Sequence, residues 1–142
     1  MNDEVSVRTA EPGDAEAVLR FWKEAAEGES VSDDLDGVGR LIERDPEALL
    51  LAETDGELVG TVIAGFDGWR CHLYRLAVSP SRRRQGVATL LLEAAERRFL
   101  ELGGRRADAM VLHRNEKAHG VWGARGYRRQ DEWGRWVKPL PR

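Results

Sequence analysis

The chain has 142 residues, of which 42% are hydrophobic and 33% charged, a balance that argues against a disordered or membrane-spanning protein. This length predicts one domain covering residues 1–142. A net charge of -3 and the single cysteine argue against nucleic-acid binding, an internal disulfide and a thiolate metal site, so no metal is predicted. No apolar run approaches the roughly 18 residues of a membrane span. We expect a cytoplasmic protein without a membrane partner.

The N-terminal part predicts a short strand and then a helix. Residues 5–7 form the strand, and Pro12 opens a segment of helix formers that runs to about Glu27. The apolar residues that recur at helical spacing are Val18, Phe21, Trp22 and Ala25. Residues 28–39 are polar and acidic and are predicted to form a mobile lid, followed by a weaker helix near residues 38–43.

Three strands are predicted in the middle of the chain. Residues 48–52 and 58–64 flank an Asp55-Gly56 pair, which is a strong hairpin signal. Residues 71–78 give the third strand. Cys71 and His72 point to opposite faces of such a strand, so Cys71 is predicted to pack in the core rather than to act as a nucleophile.

The clearest helix spans residues 87–102. Its predicted buried face consists of Val87, Leu90, Leu91, Ala94 and Leu102. A strand at residues 107–112, a short helix at residues 116–125 and terminal strands at Tyr127 and residues 133–137 follow. This order of elements predicts a mixed α/β sheet.

A basic turn joins the third strand to this helix and predicts a phosphate site. The strand ends at Val78, Arg82–Arg84 follow, and the helix begins near Gly86, so that unpaired N–H groups and the positive helix end converge. Gly86 and the small Ala88 leave room for a ligand. The alternatives are an ordinary solvated turn and an RNA-binding patch, although no stacking aromatic lies in the run.

At these residues the sequence resembles the GNAT family of N-acetyltransferases, near its ribosomal-protein-alanine-acetyltransferase-like branch of small bacterial members. Arg83, Gly86 and Ala88 match the family signature of Arg or Gln, two residues, Gly, one residue, and Gly or Ala. The similarity extends to residues 73–80, Asn115, Ala118 and residues 125–127. The resemblance implies a GNAT fold of class α/β (α+β), with a mixed, mostly antiparallel sheet of six to seven strands. About four helices would flank this sheet, which would split between its fourth and fifth strands.

The resemblance also implies acetyl-CoA as cosubstrate. The backbone of Leu76 and Val78 would pair with the pantetheine arm, and Asn115 would bond that arm while it caps the following helix. Backbone N–H groups after Arg83 would hold the pyrophosphate. The implied coenzyme-binding residues are Leu76, Ala77, Val78, Arg83, Arg84, Gln85, Gly86, Val87, Ala88, Thr89, Asn115 and Trp122.

For catalysis, the resemblance implies that a backbone N–H near Leu76 donates to the thioester carbonyl. Trp122 stands where many relatives have a tyrosine acid, and an indole is not a practical proton donor. Packing against the coenzyme or the core is its other role, and water would then protonate the thiolate. Candidate general bases are Glu24, Glu27, Glu29 and His113. Of these, Glu27 is the one we retain as catalytic, and a water chain or an amine that arrives neutral is the alternative.

The predicted acceptor is a primary amine, either a peptide N-terminus or a small amine. Residues 24–47 contain nine acidic residues against two arginines, which would attract a cationic amine. Trp122, Trp133 and Trp136 could wall the acceptor pocket, form a homodimer contact or pack in the core. The alternative function is a catalytically weak or silent acyl-CoA-binding sensor or interaction module of the same fold, which the tryptophan at position 122 encourages.

Overall fold

Five strands form one sheet in the computed structural model, which describes residues 4–26, 32–111 and 115–141. The strands are β1 (Ser6–Thr9), β2 (Leu49–Thr54), β3 (Glu57–Phe66), β4 (Cys71–Val78) and β5 (Ala107–Ala109). They neighbour one another in chain order. Each pair is antiparallel except β4 and β5, which run parallel.

Four helices cover the two faces of this sheet within the described residues. They are α1 (Ala15–Ala25), α2 (Leu35–Arg44), α3 (Val87–Glu101) and α4 (Glu116–Ala124). One apolar cluster joins α3 and Trp122 of α4 to the sheet, and a second joins α1 and α2 to its other face. None of the described helices is long and apolar enough to cross a bilayer.

The hairpin and the first helix confirm their sequence predictions. Thr54 pairs with Glu57, and the two residues between them, Asp55 and Gly56, have φ angles of 51° and 76°, as the tight turn of a two-residue hairpin requires. All four apolar residues of the α1 stripe are buried. A single 3-10 turn at Pro12–Asp14 precedes α1, and Arg8 fastens it to β1 by donating to both carboxylate oxygens of Asp14 at 2.8 and 2.9 Å.

The buried face of α3 differs from the predicted one. Its buried residues are Val87, Leu91, Leu92, Ala95 and Phe99, whereas Leu90 is 38% and Leu102 43% exposed. The helix ends at Glu101, so Leu102 is only its C-terminal cap and cannot continue the stripe. Val87, Leu91, Ala95 and Phe99 recur every four residues and pack in one apolar cluster with residues of β2, β3 and β4.

The predicted sheet of six to seven strands is wrong for the described part of the chain, which has five strands. Residues 128–141 form neither a helix nor a strand there, and Tyr127 lies outside the sheet. A strand needs a partner along its edge, and β5, at three residues, offers a short edge. Trp133 and Trp136 are therefore 75% and 96% exposed, which excludes the core packing considered for them.

The structure also differs from the predictions of the lid and of the second helix. α2 begins at Leu35, inside the segment predicted to be mobile, because the Asp34 side chain accepts from the N–H of Gly37 at 2.7 Å and caps the helix. Residues 28–31 of that segment lie outside the described part. Likewise, the strand predicted at residues 107–112 is described as Ala107–Ala109, and residue 112 is not described.

β4 and β5 separate soon after they meet. β5 pairs only with Cys71, His72 and Leu73, while β3 follows β4 as far as Val78. From Tyr74 to Val78, the edge of β4 that faces away from β3 has no strand partner among the described residues. We call this stretch the open edge of β4.

Candidate functional site

The turn between β4 and α3 carries two left-handed residues. The N–H of Ser79 bonds the carbonyl of Val59 at 2.8 Å and anchors the turn to β3. Arg84 and Gly86 then have φ angles of 67° and 79°. Gly86 is the N-cap of α3, and no side chain in the described part of the chain caps this end. The first N–H groups of α3 are therefore available to an anion.

The space in front of this turn is open. A β-carbon built on Gly86 would meet no atom within 4 Å, and Arg83, Arg84 and Gln85 are exposed around it. Unpaired amides, a positive helix end and exposed guanidinium groups are the chemistry that a diphosphate requires. The residues of the predicted phosphate site thus lie together and fit a coenzyme diphosphate.

A β-bulge lies at the middle of the open edge of β4. Thr61 pairs with Ala77 and Ile63 pairs with Tyr74, so that Arg75 and Leu76 both face the single residue Val62. Arg75 adopts a left-handed φ of 52°. For a residue with a β-carbon this conformation costs roughly 1–2 kcal/mol, so the surrounding contacts must hold it.

A buried chain of hydrogen bonds holds the bulge. The indole Nε1 of Trp22 donates to the hydroxyl of Thr61 at 2.9 Å, and that hydroxyl donates to the backbone carbonyl of Arg75 at 2.9 Å. The Arg75 guanidinium pairs with Asp33 and lies 5.5 Å from the centre of the Trp22 ring. α1, β3, β4 and the segment before α2 therefore meet at one backbone position. The sequence did not predict these hydrogen bonds, because Trp22, Thr61 and Arg75 are far apart along it.

The acidic segment is partly compensated within the protein. A groove of about 480 Å³ is lined by Leu19, Lys23, Asp33, Asp34, Leu35 and Asp36. Asp33 pairs with Arg75, Asp34 caps α2, and Asp45 accepts from Arg98 at 2.6 Å. The attraction for a cationic acceptor is consequently weaker than the count of acidic residues suggests.

A histidine–aspartate pair lies on the face of β4 opposite to α3. Nδ1 of His72 is 2.7 Å from an oxygen of Asp108 on β5, and Nε2 is 3.8 Å from Asp67 in the β3–β4 turn. The Tyr74 ring lies 6.1 Å from the His72 ring, and burial raises the pKa of its phenol. Cys71 points the other way, as predicted, and is fully buried. The alternation of side chains along β4 placed His72 on the face opposite to Cys71. Only the pairing of β4 with β5 shows that Asp108 is its partner.

The predicted site residues of α4 are partly accounted for. The Asn115 side chain accepts from the N–H of Ala118 at 3.3 Å, which confirms its capping role. Trp122 packs in the α3-side core and meets Tyr127 edge to face at 5.1 Å between centroids. Tyr127 donates to Glu96 at 2.9 Å, and burial together with this bond raises the pKa of its phenol.

Of the four predicted general bases, only Glu24 lies among the described residues. Glu24 is exposed near the end of α1. Glu27, Glu29 and His113 lie outside the described residues.

Comparison with known proteins identifies similar sequences. The family model described as "Acetyltransferase (GNAT) family" matches residues 15–127. An acetyltransferase from Yersinia enterocolitica is 30% identical over 127 residues, which are 89% of this chain and 90% of the relative. These matches favour an enzyme over a silent sensor.

Solved structures share the fold. A paiA N-acetyltransferase from Thermoplasma acidophilum in complex with coenzyme A matches with a TM-score of 0.81 and 18% identity, over 90% of this chain and 92% of that one. The ribosomal-protein-S18-alanine N-acetyltransferase from Escherichia coli matches with a TM-score of 0.69 and 17% identity, over 87% and 77%. At these identities, the likeness concerns the fold.

Proposed function

Because the chain belongs to the acetyltransferase (GNAT) family, it is an acetyl-CoA-dependent N-acetyltransferase, and we propose that its acceptor is a primary amine at the end of a peptide or on a small molecule. The observation that supports the site most directly is the uncapped start of α3 beside the open edge of β4. One feature suits a diphosphate and the other an extended arm that pairs with a strand.

In this proposal, the backbone N–H groups from Arg84 to Thr89 hold the diphosphate. The exposed Arg83 adds positive charge beside them. The open edge of β4, from Leu76 to Val78, pairs with the pantetheine arm, which Asn115 contacts from the start of α4.

The thioester supplies an activated acetyl group with a tolerable thiolate leaving group. Leu76 donates its backbone N–H to the thioester oxygen, where negative charge develops during attack. Trp122 shapes the core beneath the arm and donates no proton, and the nearby Tyr127 is engaged with Glu96. Water therefore protonates the departing thiolate.

His72 is the proton acceptor that we favour for the amine. Asp108 accepts from Nδ1, which leaves the Nε2 lone pair for a proton. Along an extended strand the Cα atoms of residues 72 and 76 are at most about 13 Å apart, so the side chain, one water and the amine can span the distance to the reacting carbon. Glu27, outside the described residues, stays the alternative from the sequence.

Coenzyme binding is tested by calorimetry with coenzyme A. Gly86→Glu places bulk and negative charge in the phosphate cradle, and we expect at least a tenfold weaker affinity. Gly56→Glu in the β2–β3 hairpin is the matched control, since Gly56 also has a left-handed φ, of 76°, and a β-carbon there also meets nothing within 4 Å. Equal affinity of the two variants would remove the assignment of this turn.

The acceptor is tested by thiol release from acetyl-CoA over a panel consisting of a peptide with a free N-terminus, spermidine and an aminoglycoside. The peptide blocked by N-acetylation is the control. We expect amine-dependent release with at least one member, whereas release that ignores all three amines would refute the proposed acceptor class.

The role of His72 is tested with the best amine of that panel. His72→Gln is expected to lower kcat/KM at least tenfold, with coenzyme affinity unchanged. A kcat/KM equal to that of the parent would return the role to water or to Glu27.

A further inference from the structure

We infer that Trp22 and Thr61 are positioning residues for acetyl transfer, because their hydrogen bonds fix the peptide group that presents the Leu76 N–H to the thioester. The inference rests on the proposed function, in which this N–H receives the developing negative charge. It assigns a role in the chemistry to two buried side chains, since Trp22 is 6% and Thr61 0% exposed.

The direction of each bond in the chain is determined by chemistry. An indole N–H can only donate, so the Thr61 hydroxyl must accept from Trp22. The hydroxyl hydrogen is then left for the carbonyl oxygen of Arg75, 2.9 Å away. Since Thr61 is fully buried, no water competes for this hydrogen.

The geometry of a peptide group transmits this constraint to Leu76. The carbonyl of Arg75 and the N–H of Leu76 belong to one planar, trans peptide unit, in which C=O and N–H point in opposite directions. A carbonyl held toward Thr61 on β3 therefore turns the N–H away from β3, toward the open edge of β4. The two side chains thus set the aim of the proposed oxyanion donor.

The bulge needs such support because its conformation is unfavourable by itself. Arg75 has a left-handed φ of 52°, and a regular strand would return its carbonyl to the ordinary ladder. The pairing of its guanidinium with Asp33 and its position over the Trp22 ring act on the same residue from the side of α1 and α2. Without the Thr61 hydroxyl, these contacts hold the side chain of Arg75 but not its peptide plane.

The experiment compares Thr61→Val, which keeps the shape and removes the hydroxyl, with Thr61→Ser, which keeps the hydroxyl. Thr54→Val is the matched control, because Thr54 is also buried but its hydroxyl has no hydrogen-bond partner in the described structure. The measurements are kcat and KM with the best amine of the panel and calorimetric affinity for coenzyme A.

We expect Thr61→Val to lower kcat by 10- to 100-fold with coenzyme affinity within twofold of the parent, since one displaced oxyanion donor acts on the transition state. Thr61→Ser should recover kcat to within about threefold, and Thr54→Val should match the parent. A Thr61→Val enzyme with parental kcat, or a Thr61→Ser enzyme as slow as Thr61→Val, would overturn the inference.

A second measurement does not depend on turnover. In NMR spectra of the parent, the indole N–H of Trp22 should exchange slowly with solvent. Thr61→Val should shift the resonance of this N–H and accelerate its exchange, whereas Thr54→Val should change neither. If Thr61→Val fails to fold, Trp22→Phe removes the donor instead and should lower kcat with coenzyme affinity retained; parental kcat in that variant is equally refuting. A parent protein that transfers acetyl to no amine would refute the proposed function, whereas an active parent with an unaffected Thr61→Val would refute this inference alone.

Discussion

The two buried threonines give a paired test of how the core is stabilised. Thr61 is 0% and Thr54 2% exposed, and they are the buried polar residues of the described part of the chain. The Thr61 hydroxyl accepts one hydrogen bond and donates another, whereas the Thr54 hydroxyl has no partner there. Threonine to valine is the same chemical change at both sites, so differences in volume and transfer free energy largely cancel.

The two variants should shift the free energy of unfolding in opposite directions. Thr61→Val leaves the buried Trp22 N–H without its acceptor, at about 1–3 kcal/mol, and removes the hydrogen bond to the Arg75 carbonyl, at about 1 kcal/mol, so the expected loss is about 2–4 kcal/mol. Thr54→Val removes a hydroxyl that already lacks a partner, so we expect no loss and a gain of up to about 1 kcal/mol.

Urea titrations followed by circular dichroism measure both free energies of unfolding. An unchanged slope of this free energy against urea concentration shows that each variant exposes as much surface on unfolding as the parent. Thr61→Ser, which keeps both bonds, should lose less than Thr61→Val. Equal stability of the two valine variants would refute the reasoning, because it would mean that the hydrogen-bond chain through Thr61 contributes nothing to the folded state.

The remaining predictions concern packing, pH and reactivity. Gly104→Ala should lower the free energy of unfolding by about 1–3 kcal/mol, because its β-carbon would lie 2.3 Å from Sγ of Cys71. Gly39→Ala in α2 has open space and should raise it by up to about 1 kcal/mol. Urea titrations in which both variants are more stable than the parent, or both less stable, would contradict this. The hydrogen bonds from Arg8 lower the pKa of Asp14 below its ordinary 3.8, so its contribution is present above that pH and is lost as pH falls through the folded-state pKa. Asp14→Asn should therefore be less stable at neutral pH and converge with the parent once the pH falls below the lowered pKa of Asp14, and a constant difference in unfolding free energy across pH would be inconsistent with that account. Burial raises the pKa of the Cys71 thiol and closes access to it, so the native protein should resist iodoacetamide, and rapid labelling without denaturant would show that this packing is wrong.

Local sequence was sufficient for features whose cause is local. Asp55-Gly56 predicted the hairpin because both positions need a positive φ, and the spacing of Val18, Phe21, Trp22 and Ala25 predicted the buried side of α1. The basic turn that ends at Gly86 was recognisable because a helix start, a glycine and arginines act together within a few residues.

Features that depend on partners were not available from the sequence. α3 ends at Glu101, so Phe99 and not Leu102 completes its buried face, and residues 133–137 form no strand beside the three-residue β5.

The protein's sequence alone therefore predicted the hairpin, the buried side of α1 and the basic turn before α3, because those depend on backbone preferences and on neighbours along the chain. The tertiary structure decided which side chains meet: Trp22 and Thr61 are 39 residues apart and His72 and Asp108 are 36 apart. The bulge at Arg75 belongs to this second group, since a left-handed arginine inside a strand is unfavourable locally and persists only where distant side chains hold it.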